Sequence, residues 1–462
     1  ATPTTLRRDF PWDDDAQAWV HLGGGIGAAA NHARFEITAL APFAGRIIAG
    51  GDFRLPDFHE DQYDCQYIAQ WDGEAWHRLG MGTDGQVLAL TVYDGSLIAA
   101  GEFHHVGNAA DWVDADYIAR WDGYAWHNIG DASNRIYALT VHDGELIAAG
   151  TFTTIGGVTA TRIAAWNGTS WRALAGGLDN TVHALQTCGD DLYVGGHFTT
   201  AGGVSAPRVA RWDGDTWHAM GEGFDERVWA LALYRGELYA GGWFTGTAQG
   251  TTQLQHLARW NGQRWHSPGD VSGATMYYNV SAMLGTDSYL FVGGDFDQIG
   301  PTGASALAAF DGFQWYEVGG GLHGGYQRDA VYAMTVDNGD LWAGGDFTLA
   351  DDRSSYNIAH WQDGTLVPTL LERFAARMIA GAGPPAVALS WSLSAAVAAD
   401  ALELVARTGE ASWRVPVTEA AAADAAAAAA SGGRRARHYE VRDASPQLAG
   451  ATDVSYELRL RD

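Results

Sequence analysis

Leu192-Tyr193-Val194-Gly195-Gly196-His197-Phe198, answered downstream by Arg211-Trp212-Asp213-Gly214-Asp215-Thr216-Trp217, is the stretch on which the fold turns. The same landmarks return at a spacing of roughly 45–50 residues, which marks a repeat architecture of one supersecondary unit per copy. The phenylalanine that follows the glycines recurs at Phe53, Phe103, Phe152, Phe198, Phe244, Phe296 and Phe347, and these positions number units 1 to 7. The aromatic that ends the next segment recurs at Trp71, Trp121, Trp166, Trp212, Trp260, Phe310 and Trp361.

Each unit reads as a sequence of short strands. The first carries Val/Ile-x-Ala-Leu/Met, as in Val228-Trp229-Ala230-Leu231, and the second runs into the glycines. The third ends at the aromatic, as in Ile118-Ala119-Arg120-Trp121, and the fourth starts at a second Trp, as in Trp126-His127-Asn128. Short β-rich runs separated by Gly and Asp turns predict strands and argue against helices. The second Trp occurs at Trp76, Trp126, Trp171, Trp217, Trp265 and Trp315, but Trp361 is followed by Gln362-Asp363-Gly364-Thr365 without one. Ala18-Trp19-Val20-His21-Leu22-Gly23 aligns with Ala75-Trp76-His77-Arg78-Leu79-Gly80. The N-terminal segment is therefore expected to supply the outermost strand of unit 7, which joins both ends of the array in one sheet and removes its free edges. The expected fold is all-β: a seven-bladed β-propeller closed by an N-terminal strand that completes the last blade.

These motifs resemble kelch-type and galactose-oxidase-type propellers, through the paired glycines ending the second strand and the aromatic-Asp…Trp step. They also resemble secreted repeats of the form Gly-Gly-x-Phe…Trp-Asp-Gly-x-x-Trp. The resemblance covers about residues 14–367 and implies a fold rather than an activity, since propellers host many functions. The repeat stops near Thr369. Alternating segments such as Ala388-Leu389-Ser390-Trp391-Ser392-Leu393 and Ser455-Tyr456-Glu457-Leu458-Arg459-Leu460 follow. They resemble a fibronectin type III or related immunoglobulin-like β-sandwich of the kind found at the ends of bacterial exported proteins. The expected domains are residues 1–367, the propeller, and 368–462, the sandwich.

A net charge of −27 argues against nucleic acid and anionic membrane surfaces as partners. No apolar run reaches membrane-spanning length, so membrane insertion is not expected. The chain starts at Ala1 without Met, which suggests a secreted protein with its signal peptide removed, extracellular or at the cell surface. Cys65 and Cys188 are the two cysteines. They fall on opposite faces of the expected disc, so no disulfide between them is expected.

The turns between first and second strands and between third and fourth strands are tight. The other connections are longer, share one face, and form the natural place for a site. On that face the residue between glycine and phenylalanine reads Asp52, Glu102, Thr151, His197, Trp243, Asp295 and Asp346 around the array. Asp295, Asp346, Asp52 and Glu102 thus form an acidic arc over four neighbouring units, extended by loop acids such as Asp57. His197 and Trp243, with Tyr277 and Tyr278, form an aromatic-polar arc opposite. Crowded carboxylates suit Ca²⁺ or a cationic ligand, with Asp52, Glu102 and Asp346 as metal candidates, and aromatic faces suit sugar rings. The competing reading is that the acids cap loop amides. His77, His127, His218 and His266 recur after the second Trp but lie on different units, too dispersed to share an ion. His104-His105 form a weaker metal candidate.

No catalytic motif of the Gly-x-Ser-x-Gly, His-Glu-x-x-His or phosphate-loop type occurs, and no cofactor other than Ca²⁺ is suggested. The functional expectation is a secreted or surface binding propeller for a carbohydrate or a protein. The alternatives are a glycan-active hydrolase or lyase using loop carboxylates, and a structural surface-assembly subunit.

Overall fold

The computed structural model describes residues 18–20, 22, 26, 35–54, 66–108, 111–268, 279–325, 329–351 and 353–362. Beyond these it describes the backbone of six strands between residues 371 and 460. Every regular element among them is a strand, and the sheets are antiparallel. The expected all-β class is what the chain adopts. The chain divides into two compact bodies with a boundary between Pro368 and Thr369.

In the first body the repeats form sheets with strands in chain order. Unit 4 shows the pattern with Val182–Cys188, Asp191–Gly196, Val209–Trp212 and Trp217–Ala219. Unit 7 contributes Ala330–Asp337, Asp340–Asp346 and Ile358–Gln362, and its fourth strand is Ala18–Val20. Trp19 stands opposite Trp361 as Trp217 stands opposite Trp212. The N-terminal strand thus fills the fourth place in this sheet.

The paired glycines follow from two close approaches. In unit 4 a Cβ on Gly195 would lie 2.6 Å from Cγ1 of Val228, the valine that opens the first strand of unit 5. Gly50 meets Val87, Gly241 meets Val280 and Gly293 meets Val331 in the same way, and Gly344 of unit 7 meets Ile37 of unit 1. Sheet-to-sheet contact therefore demands a small residue here. The second glycine faces its own sheet. A Cβ on Gly196 would sit 2.2 Å from the carbonyl oxygen of Thr181, the residue just before a first strand whose counterparts in other units carry a bulge. The bulge shows as a register shift between Val228 and Ala230 in unit 5 and between Ile136 and Ala138 in unit 3.

The phenylalanine is then locked by one residue of the third strand's approach. In unit 4 Arg208 donates its N–H to the Phe198 carbonyl at 2.9 Å, and its own carbonyl accepts from Gly196 at 2.9 Å. Tyr117, Arg162, His256, Ala306 and Asn357 make the same pair of bonds in their units. All adopt left-handed backbone, with φ between 59° and 70°, and Tyr67 of unit 1 shares that conformation at 72°. Non-glycine residues rarely accept this region, which is disfavoured by about 1–2 kcal/mol. The two backbone bonds hold it in place, and the Phe198 ring is fully buried beneath them.

The Trp-Asp-Gly turn has an equally local cause. Asp213 accepts the amides of Asp215 and Thr216 through one oxygen and contacts His218 Nε2 at 2.5 Å through the other. Asp72 with His77 and Asp122 with His127 repeat this arrangement. The Ala75 and Glu74 amides, then His77, hold the Asp72 carboxyl down at about 2. His77, His127 and His218 are thus turn partners in units 1, 2 and 4, whereas His266 of unit 5 accepts from Arg259 Nε at 3.1 Å. The second Trp reaches outward: Trp217 Nε1 donates to the Ala175 carbonyl of the preceding unit at 2.9 Å, and Trp171 donates to Ile129 at 2.6 Å. Trp19 donates to the Gly319 carbonyl at 2.8 Å across 300 residues of chain. It therefore meets unit 6 as Trp126, Trp171, Trp217 and Trp265 meet their predecessors.

The second body contains two three-stranded antiparallel sheets. One holds Leu371–Ile379, Ala386–Leu393 and Arg437–Asp443, and the other Ala411–Val415, Leu402–Thr408 and Ser455–Leu460. Cys65 lies outside the described residues.

Candidate ligand site at the channel mouth

The first strands of the repeats converge on a cavity of about 230 Å³ lined by Ala39, Ala89, Ala138, Ala184, Ala230, Ala282 and Ala333, one from each unit. This explains the Val-x-Ala-Leu pattern. The valine is buried against the neighbouring sheet, and the alanine stands where the strands crowd together. The x residue lies next to the mouth: Thr38, Leu88, Tyr137, His183 and Tyr332 all line the cavity.

The mouth is built from paired positions. Glu36 stands opposite Asp52, Asn279 opposite Asp295, and Ala330 opposite Asp346. In the remaining units the N–H of Glu102, Thr151, His197 and Trp243 donates to the carbonyl of Gln86, Arg135, Thr181 and Arg227 respectively. The residue between glycine and phenylalanine is therefore placed by its backbone in the same way in each unit, while its side chain differs from unit to unit.

The structure fills these positions unevenly. On units 3 to 5 the rings of Tyr137 and His183 lie 5.1 Å apart, those of His183 and Trp229 4.1 Å, and those of Trp229 and Trp243 6.4 Å. The Arg227 guanidinium lies over both indoles, 5.6 Å from Trp229 and 4.9 Å from Trp243. Trp243 itself is 48% exposed. Burial, then the Arg227 charge, pulls His183 down to about 3, and the same two causes lower His197. Both rings are thereby kept neutral near pH 7.

On the acidic side the carboxylates differ in setting. Asp52 and Asp295 are half-buried and Asp346 is buried at the mouth. Glu102 reaches across to Arg135 Nε of unit 3 at 3.0 Å, which ties one end of the acidic arc to the other arc. Among the described residues no three His, Cys, Asp or Glu side chains assemble into a group able to hold a metal ion. Asp57, Tyr277 and Tyr278 lie outside the described residues. Arg227, Trp229, Tyr137, His183 and Arg135 are additions that the sequence reading missed. The signal for them was present in the x of Val-x-Ala-Leu and in the residue before that motif.

Other acids on this face do cap amides. Asp84 accepts the N–H of His104 and of His105, Asp179 those of Thr199 and Thr200, and Asp225 that of Thr245. In unit 2 the pair His104-His105 splits: His104 Nδ1 meets Asp116 at 2.6 Å, and His105 Nδ1 meets Asp84 at 2.6 Å. The Asp84 bond raises the His105 pKa, opposed by burial and aided by Asp114 and Asp116. Burial works against Asp84, yet His105 and the two amides still lower it. The pair thus stabilises the loop fully between the ordinary Asp and the ordinary His values; that contribution is lost as pH falls through the lowered Asp84 value and as it rises through the raised His105 value. Hydrogen-exchange protection factors, corrected for the intrinsic pH dependence of exchange, should be lower in the hairpin His105–Gly107 with Trp112–Asp114 at pH 8.5 than at pH 5.5. His105→Gln should flatten that difference, and an unchanged profile would contradict the assignment.

Comparison with known proteins agrees with the architecture. Residues 142–164 match the family model described as "Domain of unknown function (DUF5122) beta-propeller". No curated protein matches the chain. Two solved structures are similar. The computationally designed Ika4 protein shares 14% identity at TM-score 0.26, over 39% of this chain and 94% of that one. A mutant of Trypanosoma rangeli sialidase displaying trans-sialidase activity shares 11% identity at TM-score 0.32, over 75% of this chain. The chain spans 58% of that sialidase's length. The first body is a β-propeller repeat protein.

Proposed function

We propose that the first body is a kelch-like ring of seven blades, closed by the N-terminal strand, and that its channel mouth binds a carbohydrate. The second body is read as a fibronectin type III-like spacer or attachment module. The placement is secreted or cell-surface. Two repeated contacts support closure: Gly344 meets Ile37 as Gly195 meets Val228, and Trp19 meets Gly319 as Trp217 meets Ala175.

The observation that carries the ligand reading is Trp243. It is the one exposed tryptophan among the described residues, in a chain whose other indoles are buried or half-buried there. A flat aromatic face at a concave mouth, opposite carboxylates able to accept hydroxyl hydrogens, matches the two needs of sugar binding.

A glycan array probed with the full chain should return a bound saccharide, and Trp243→Ala should weaken it at least tenfold, on the order of 1.4 kcal/mol. Retained binding in that variant, or capture of protein ligands alone, would remove the reading. Release of reducing ends from the bound saccharide would instead favour the glycan-active alternative. Asp52, Glu102, Asp295 and Asp346 belong to this proposed site as hydroxyl acceptors, and His197 as a neutral partner.

A further inference from the structure

Arg227 is set apart from the arginines that face carboxylates. Arg211 meets Asp191 at 2.6 Å, Arg259 meets Glu237 at 3.0 Å and Arg135 meets Glu102 at 3.0 Å. Among the described residues the Arg227 guanidinium has only a loose ion pair with Glu226, whose Oε2 accepts the Arg227 backbone N–H and lies 3.7 Å from Nε, beyond hydrogen-bond reach of the side chain. The Arg227 side chain is 30% exposed and its guanidinium lies against both indoles, so the N–H groups not turned to the rings are what it can offer a ligand. Arg227 Nε and Trp229 Nε1 are buried without an acceptor among the described residues. This corner of the mouth therefore holds more donors than acceptors. It also concentrates positive charge in a chain of net charge −27, and that charge helps keep both His183 and His197 uncharged.

We infer that the ligand of this mouth carries a carboxylate, received by the N–H edge of Arg227, beside a sugar ring stacked on Trp243. The inference rests on the carbohydrate reading above and names its class as a uronic-acid saccharide. In such a sugar the carboxylate is attached directly to the ring, so one residue can stack and pair with neighbouring groups at once. Guanidinium and carboxylate are geometrically matched for paired hydrogen bonds. The acids of units 6, 7, 1 and 2 repel a carboxylate, so the anion settles on the Arg227 side only and the saccharide enters in one orientation.

The test is calorimetric titration of the full chain with galacturonan, glucuronan and alginate oligosaccharides, with their methyl esters, and with hexaglutamate. At least one free acid should bind at least tenfold more tightly than its ester. Arg227→Gln should erase that preference with the fold intact by circular dichroism, whereas Trp243→Ala should weaken acid and ester alike. The apparent pKa of His197, followed by NMR, should rise on binding as the anion offsets the arginine. Equal affinity for acid and ester, or a preference that survives Arg227→Gln, overturns the inference. Tighter binding of hexaglutamate than of any uronide overturns its sugar class. If neutral saccharides bind through Trp243 without any preference for the acid, the inference falls and the carbohydrate reading stands. If no saccharide binds, both fall.

Discussion

Gly196→Ala is expected to destabilise the propeller by about 3 kcal/mol or more, while Gly195→Ala one residue earlier should cost about 1 kcal/mol. The contrast comes from what each new methyl meets. At position 196 it would fall 2.2 Å from the Thr181 carbonyl oxygen and 3.0 Å from the Val182 Cα, both backbone atoms. That carbonyl cannot retreat without loss, because it accepts the His197 N–H at 2.8 Å. At position 195 the methyl would meet the Val228 side chain, and units 2 and 3 already carry Ala100 and Ala149 at the equivalent place. Urea unfolding of the two variants gives the comparison directly. Equal losses would mean that the Thr181 carbonyl is not the constraint.

Trp19→Ala is expected to lower stability by about 3–5 kcal/mol, the range for removing a buried large aromatic. Trp19 is 4% exposed, packs edge-on against Trp361 with centroids 5.2 Å apart, and donates to Gly319. Its strand pairs Ala18 with Gln362 and Val20 with His360, so the side chain anchors the only described strand on that edge of unit 7. Trp217→Ala removes the equivalent group where the chain is continuous. The two losses should agree within about 1 kcal/mol if the unit 7 junction is energetically like the others. A loss below about 1 kcal/mol for Trp19→Ala would show that the strand contributes little to holding the sheet.

The repeat and its displaced strand were legible because both rest on residues with a single steric or hydrogen-bonding job. A glycine against a carbonyl and an indole aimed at the next unit leave few substitutes. The rim register was legible for the same reason, since Gly-x-Phe marks x in every copy. The opposite half of the mouth was not. Arg227 becomes the partner of Trp243 through the pairing of Val228 with Gly242 at the edge of the bulge, so the residue before Val-x-Ala-Leu carries its signal only once that register is known. The loop acids were ambiguous as well. Asp84, Asp179 and Asp225 cap amides, whereas Asp346 lies buried at the mouth, and composition alone cannot separate the two.

The left-handed residue before each third strand has a consequence for change over time. Tyr117, Arg162, Arg208, His256, Ala306 and Asn357 share one backbone posture held by the same two bonds, yet apart from the two arginines their side chains all differ in kind. The Arg162 and Arg208 side chains reach back to the carbonyls of Thr151 and His197, directly under the rim. Each is a peg whose seat is the same in these six units and whose head differs among them. Mutation can therefore sample chemistry beneath the mouth, one peg at a time, without renegotiating the fold.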